Sequence, residues 1–170
     1  SWFGRKAGNV SALGSSGSWR IGNDRIKLEV SSNLPAWKHY TFTPDNLLDD
    51  NLWSSWQPLR KPNGGVGQWL KMTFKSPQTV TGFEIYNGFR LIDELGDLYA
   101  MNNRIKEAEL EFSDGTKMPI QFEDKPVQTT IVLPSPKAGV TWVKLTVKSI
   151  YKGTRWNDLA VSELHVMGHD

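Results

Sequence analysis

Two stretches of this chain concentrate side chains able to do chemistry, and a third is a weaker candidate. Residues 45–56 read Asp-Asn-Leu-Leu-Asp-Asp-Asn-Leu-Trp-Ser-Ser-Trp. Three Asp, two Asn and two Ser are hard oxygen donors of the kind calcium selects. The spacing is not that of an EF-hand, which needs a glutamate at the twelfth loop position. A calcium site here takes Asp49, Asn51 and Ser54 from the loop and needs backbone carbonyls and a carboxylate from elsewhere, for which Glu163 is the candidate. The competing reading is a helix N-terminus, where acidic and amide residues cap free N–H groups.

The second stretch, residues 151–158, places Tyr151, Arg155, Trp156, Asn157 and Asp158 close together. Arg and Asn supply directed donors, and an aromatic ring offers a flat face to the C–H side of a sugar. The same loop could equally hold Asn157 and Asp158 for bonds to its own backbone. The third stretch, residues 87–104, is long and carries Tyr99, Asn103 and Arg104. Long irregular loops in compact domains are often functional. Its acids Asp93, Glu94 and Asp97 could form a glycosidase pair, but clustered surface acids are usually just solvated. The Gly-rich residues 62–67 lack the lysine and helix of a phosphate loop. His165 and His169 fall on a strand and tail, so their helical metal spacing is discounted.

Eight tryptophans in 170 residues sharpen the sugar reading. Trp37, Trp53, Trp56 and Trp156 lie among Asn, Asp, Ser, Pro and Gly, where loops are expected. A buried aromatic contributes a large apolar area; one on a loop either plugs the end of a barrel or forms a binding face.

The elements that must position these loops are strands. Alternation of apolar and polar residues predicts strands over 25–30, 69–74, 107–112 and 118–122. Residues 79–86, 129–133, 142–150 and 161–167 are rich in β-branched and aromatic residues, giving about eight strands. Asp114-Gly115 is a strong hairpin signal. Only residues 46–52 and 91–101 could hold a helical turn. Many short strands separated by Pro and Gly indicate an all-β jelly-roll sandwich of antiparallel strands. Leu70, Met72, Leu110, Phe112, Leu145 and Val147 are the expected core. Residues 1–24, rich in Gly and Ser, read as an irregular N-terminal arm, with Trp2, Phe3 and Trp19 as anchors; residues 25–170 form the domain.

Composition sets outer limits. The net charge of +2 comes from scattered Lys and Arg, without the basic stripe of a nucleic-acid binder. The chain has no cysteine, which rules out disulfides and thiolate chemistry within it. No apolar run approaches the roughly 20 residues of a membrane span. A start at Ser1 without a signal-like run suggests a mature form or an excised piece.

Four segments in order resemble a known family. They are residues 45–49 with Trp56, residues 66–70, residues 102–115, and residues 151–164 with Glu163. This pattern is similar to the NADase-type glycan-binding domain, a bacterial branch of the discoidin-like, galactose-binding-like jelly rolls, over roughly residues 31–168. The resemblance implies a non-catalytic carbohydrate-binding module that reads glycans through loops at one end, within a larger secreted or surface bacterial protein. It implies Tyr99, Asn103, Arg104, Arg155 and Trp156 as contacts on one rim. It also implies a structural calcium between the Asp49 loop and Glu163. Asp50 departs from the family, where glycine is common. The enzymatic domain in the family's name is separate, so NAD hydrolysis is not implied. A protein–protein adhesion domain on the same scaffold is the alternative, and a small glycosidase or lyase is a more distant one.

Overall fold

A computed structural model describes residues 19–170. Expectations for Trp2, Phe3 and residues 14–18 lie outside the described residues. The strands are β1 (Trp19–Arg20), β2 (Ile26–Val30), β3 (Trp69–Asn87), β4 (Ile92–Asp93), β5 (Gly96–Asp97), β6 (Arg104–Phe112), β7 (Lys117–Gln121), β8 (Gln128–Tyr151) and β9 (Val161–His169). One short helix, α1 (Leu98–Met101), and two 3-10 turns, Asn23–Arg25 and Pro44–Leu47, complete the described elements. Both turn-bearing stretches expected from the sequence therefore hold one turn each.

Seven antiparallel strands form the main network, and β4 pairs only with β5. Two pairs of expected strands are each one long strand. The first half of β3 pairs with β2 and with the last half of β8, which continues to β6 and β7. The second half of β3 pairs with β9 and the first half of β8, and β9 carries β1. The register shifts between Thr73 and Gly82 mark where β3 passes from one layer to the other. Pro77, Pro134 and Pro136 sit at these crossings; proline removes a ladder donor, and bulges turn a strand at a sandwich corner. The sequence reads as two strands because the alternation breaks at the bend, while hydrogen bonding continues through it.

The core fills the space between the layers. Leu70, Met72, Leu110, Phe112, Leu145 and Val147 are all buried in one cluster, as the alternation requires. Each such side chain contributes about 1.5–3 kcal/mol relative to exposure. Trp56, expected on a loop, is fully buried in this cluster and donates its indole N–H to the Ser32 carbonyl at 3.0 Å. It is a plug and no binding face. Trp19 is 71% exposed and joins the sheet through its backbone pairing with Gly168, while Ile21, two residues later, is buried in the core. A second, smaller apolar cluster of Tyr40, Phe42, Phe89, Leu98 and Ala160 lies under the loops at one end.

Candidate functional site

The second cluster forms the floor of a cavity of about 480 Å³, within the usual range for small-molecule sites. Its aromatic wall comes from the 34–42 loop. Trp37 and Tyr40 exchange both backbone hydrogen bonds, Trp37 N–H to Tyr40 O at 3.1 Å and Tyr40 N–H to Trp37 O at 3.0 Å. Lys38 turns this tight hairpin with φ 56°. The pairing stacks the two rings, with centroids 5.9 Å apart and planes 10° from parallel. Tyr40 also meets Phe89 edge-on at 6.1 Å. Its hydroxyl donates to Asp93. Burial, then the Asp93 carboxylate, pushes the Tyr40 phenol up to about 12, so it stays a donor at neutral pH. Trp37 remains 47% exposed at the mouth.

The opposite side is polar. Arg60 holds Asp158 by two parallel bonds, Nε to Oδ1 and Nη2 to Oδ2, each 2.8 Å. Such forked pairs fix geometry as well as charge. Hydrogen bonding to Asp158 raises the already high Arg60 pKa further. Asp158 is buried while the Arg60 side chain is 60% exposed, so the guanidinium faces the cavity from a carboxylate base. Gln57 and Asn102 add amides, and Trp156 closes the wall. The exposed Arg155 lies 4.7 Å over the Trp156 ring.

Of the five expected contacts, the structure brings only Trp156 to the cavity wall, with Arg155 on its ring. Tyr99, Asn103 and Arg104 are buried and hold the scaffold instead. Asn103 donates to Gly64 O at 3.1 Å and Asn157 Oδ1 at 3.0 Å, and accepts from Gly153 N–H at 2.7 Å. Arg104 grips Asp124 and caps the Tyr99, Ala100 and Asn102 carbonyls. Tyr99 donates to the same Asp124 at 3.0 Å. Each polar group is spent inside, because a buried polar group without a partner is costly. Trp37 was among the loop tryptophans marked in the sequence; the rest of the 34–42 loop, Gln57 and Arg60 are the site residues missed by sequence reasoning. Trp37 and the tight Pro35-to-Tyr40 run were the available signal; Arg60 carried none, since its partner is 98 residues away.

The acidic loop lies elsewhere, on the outer face of the β3–β9 layer. Leu164 and Val166 point into the core, so alternation turns Glu163 and His165 outward beneath residues 49–54. Glu163 is 1% exposed, and its Oε1 has no hydrogen-bond partner. Its Oε2 sits 2.6 Å from His165 Nε2, which is 3.5 Å from Asp50 Oδ1. Ligand atoms of Asp50, Glu163 and His165 lie within 4.8 Å of one another. Burial, then the Asp49 and Asp50 carboxylates, push Glu163 up to about 10. A bound cation would offset that repulsion and give Oε1 a partner, so the residues fit a metal ion. Asn51 and Ser54 sit in the loop above these three, each in a local bond. Asn51 Oδ1 accepts from Trp53 N–H, and Ser54 Oγ donates to Asp49 Oδ2 at 2.5 Å. These are short-range turns of the loop itself, which compete for the oxygens a metal would need. Asp50 adopts φ 56°, the left-handed region where glycine is favoured.

The open sandwich with a loop-end cavity defines a discoidin-like, galactose-binding-like domain. The chain belongs to the family described as NAD glycohydrolase translocation F5/8 type C domain, whose model matches residues 19–167. The family 32 carbohydrate-binding module of Clostridium perfringens NanJ, solved with galactose, is 16% identical with a TM-score of 0.61, covering 89% of this chain and 98% of that one. An F5/8 type C domain from Bacteroides fragilis has TM-score 0.64 at 13% identity, covering 91% and 99%. A C. perfringens family 32 module, solved with GalNAc-β-1,3-galactose, has TM-score 0.58 at 16% identity, covering 83% and 94%. No curated protein matches the chain. Among the described residues no helix is long and apolar enough to cross a membrane.

Proposed function

We propose that this domain is a non-catalytic carbohydrate-binding module of a secreted or surface bacterial protein, and that its glycan site is the cavity between Trp37 and Trp156. The observation that carries this reading is the half-exposed Trp37, stacked on Tyr40, placed across one cavity from the Arg60–Asp158 clasp. An aromatic face suits the C–H side of a pyranose, and a fixed guanidinium suits its hydroxyls. Two similar solved structures held galactose and GalNAc-β-1,3-galactose, which supports a sugar ligand here. Asp158 is already committed to Arg60 and serves to aim it, which supports binding over acid–base chemistry.

Affinity per site is weak, because an open cavity recovers little after the entropy cost of association. Attachment to a multivalent parent raises effective concentration. The site at Asp50 and Glu163 holds a structural divalent cation; the family resemblance implies calcium. The decisive experiment is a glycan array with the 170-residue domain and its Trp37→Ala variant. Selective retention of a glycan class by the parent alone supports the reading; no retention, or equal retention by both, overturns it.

A further inference from the structure

We propose that the outer face of the β2–β3–β8–β6 layer is a second binding face, separate from the loop-end cavity, and that it takes a linear anionic polysaccharide bearing carboxylate or sulfate groups. Leu70, Met72 and Phe74 of β3 and Val143, Leu145 and Val147 of β8 are buried in the core. Alternation therefore turns Trp69, Lys71, Thr73 and Lys75 outward, and likewise Trp142, Lys144, Thr146 and Lys148. The two central strands thus present the same series, Trp-Lys-Thr-Lys, to solvent. They run antiparallel, with Trp69 paired to Thr146, Lys71 to Lys144 and Thr73 to Trp142. Lysines scattered along the sequence become one stripe, about 25 Å long from Lys75 to Lys148 by the rise of a strand. No acid stands on the outward face of either central strand over this length.

Lys71 and Lys144 are like charges directly opposite on neighbouring strands, an arrangement that costs stability. Each ammonium rests over a half-buried ring of the other strand, Lys71 at 4.6 Å from the Trp142 centroid and Lys144 at 4.8 Å from that of Trp69. Glu29 stands in register with Lys71 and Glu111 with Lys144, yet neither lysine forms an ion pair among the described residues. The rings restrict two long side chains, which lowers the ordering cost of binding. An anionic group held between the two ammoniums offsets their repulsion. Lys27, in register with Thr73, adds a further cation. Glu29 on β2 and Glu107, Glu109 and Glu111 on β6 border the stripe, so a polyanion lies along the central strands and not across them. The length of the stripe suits an extended chain better than one sugar. It holds no arginine, the residue that forks onto phosphate, and Thr73 and Thr146 set hydroxyls between the charges. Both points favour a polysaccharide over a nucleic acid.

The test is affinity electrophoresis of the 170-residue domain through gels holding polygalacturonate, dextran sulfate or neutral dextran, with oligothymidylate binding measured beside it. Expected is retardation by an anionic polysaccharide, none by dextran, and release as salt rises. Polygalacturonate alone names carboxylate as the recognised group, dextran sulfate alone names sulfate, and both together name the shared charge. Lys71→Gln/Lys144→Gln should weaken retention about tenfold, two exposed ion pairs near the upper end of their usual worth. Its melting temperature should hold or rise, because a like-charge pair is gone. Lys75→Gln/Lys148→Gln, at the exposed ends of the stripe, should weaken retention less, and it carries the test if the first variant fails to fold. Lys61→Gln/Lys125→Gln removes the same charge from two loops and should bind as the parent. An equal loss in that control means diffuse attraction and overturns the proposal. Trp37→Ala should keep polyanion retention; if it loses it, the polyanion sits in the loop-end cavity, and this inference falls while the module reading stands. Should Trp37→Ala leave the glycan array unchanged, the cavity reading falls and this face is unaffected. Retardation by neither polyanion, or indifference to both stripe variants, overturns the proposal. Tighter binding of oligothymidylate through Lys71 and Lys144 overturns it too, and gives the face to nucleic acid.

Discussion

Arg60 and Asp158 stand 98 residues apart in the chain, yet meet through two 2.8 Å bonds at the polar wall of the loop-end cavity. The pair joins the segment after Trp56 to the loop before β9, so it both closes the cavity and presents a guanidinium to it. Removing either partner has unequal consequences. Arg60→Ala leaves Asp158 buried without its counter-charge, whereas Asp158→Asn leaves a mobile, exposed arginine.

The glycan site should therefore respond to both. Asp158→Asn is expected to weaken glycan retention by about 1–3 kcal/mol, the worth of a charge-assisted bond, with modest loss of melting temperature. Arg60→Ala should lose retention and stability together. Titration calorimetry beside a melting curve separates the two. Undiminished binding by both variants would place the sugar away from this wall.

Trp156→Ala should remove binding but also lower the melting temperature. The ring lines the cavity and packs on the Phe89–Leu98 cluster at once. Truncating a partly buried aromatic costs less than the roughly 3–5 kcal/mol of a fully buried one. Trp37→Ala, at 47% exposure, should lose binding with little change in melting. The contrast between the two variants, read on one glycan column and one melting series, is the expected outcome.

How much of this was legible in the sequence depends on the range of the signal. Period-two alternation is local, so Leu70, Met72, Leu110 and Leu145 were placed in the core from their neighbours alone. Glu163 was put forward for the Asp49 loop as a carboxylate from elsewhere in the chain, and the family resemblance implied the same pairing. His165 was weighed only with His169, at a helical spacing, and discounted because both fall on a strand and tail; the strand period of two puts it on the same face as Glu163. Tyr99, Asn103 and Arg104 misled because amide, guanidinium and phenol serve a buried hydrogen-bond network as well as a sugar. Composition does not distinguish the two uses; only the partners do, and Arg104's partner Asp124 lies on a different loop.

Those three residues should behave as structure. Asn103→Ala frees Gly153 N–H and removes two donated bonds, so it should destabilise the domain by about 1–3 kcal/mol. Loss of glycan retention should follow only near the melting transition. Measured well below it, binding by this variant should match the parent; a selective loss of binding with unchanged melting would return Asn103 to the contact set.

The Arg104–Asp124 pair also predicts an acid limb. Hydrogen bonding from Arg104, ahead of the smaller contribution from Tyr99, holds the Asp124 carboxyl below its ordinary 3.8. A carboxylate depressed in the folded state binds fewer protons there than in the unfolded chain. Its stabilisation is thus complete above about pH 4 and is lost as pH falls through the folded value. Asp124→Asn should flatten the stability profile below pH 4 relative to the parent, in urea melts taken at successive pH values. Profiles that run parallel below pH 4 would mean the pair contributes nothing across that range.

Gly153 gives the sharpest structural prediction. A Cβ there would lie 2.3 Å from the Met101 carbonyl oxygen and 2.6 Å from the Asn102 carbonyl carbon, both backbone atoms that cannot swing aside. The close approach is what lets Thr154, Arg155 and Trp156 donate their N–H groups to Ala100 and Met101, docking the loop on α1. Gly153→Ala must push the loop off the helix, breaking those bonds and moving Trp156 from the cavity wall. Overpacking of this kind typically costs about 1–3 kcal/mol. The expected result is a lowered melting temperature together with lost glycan retention at every temperature. Retention should not return in an otherwise stabilised background, because the defect is in the position of Trp156 and not in the fraction folded. A variant that binds like the parent would show that the 151–158 loop contributes no contact.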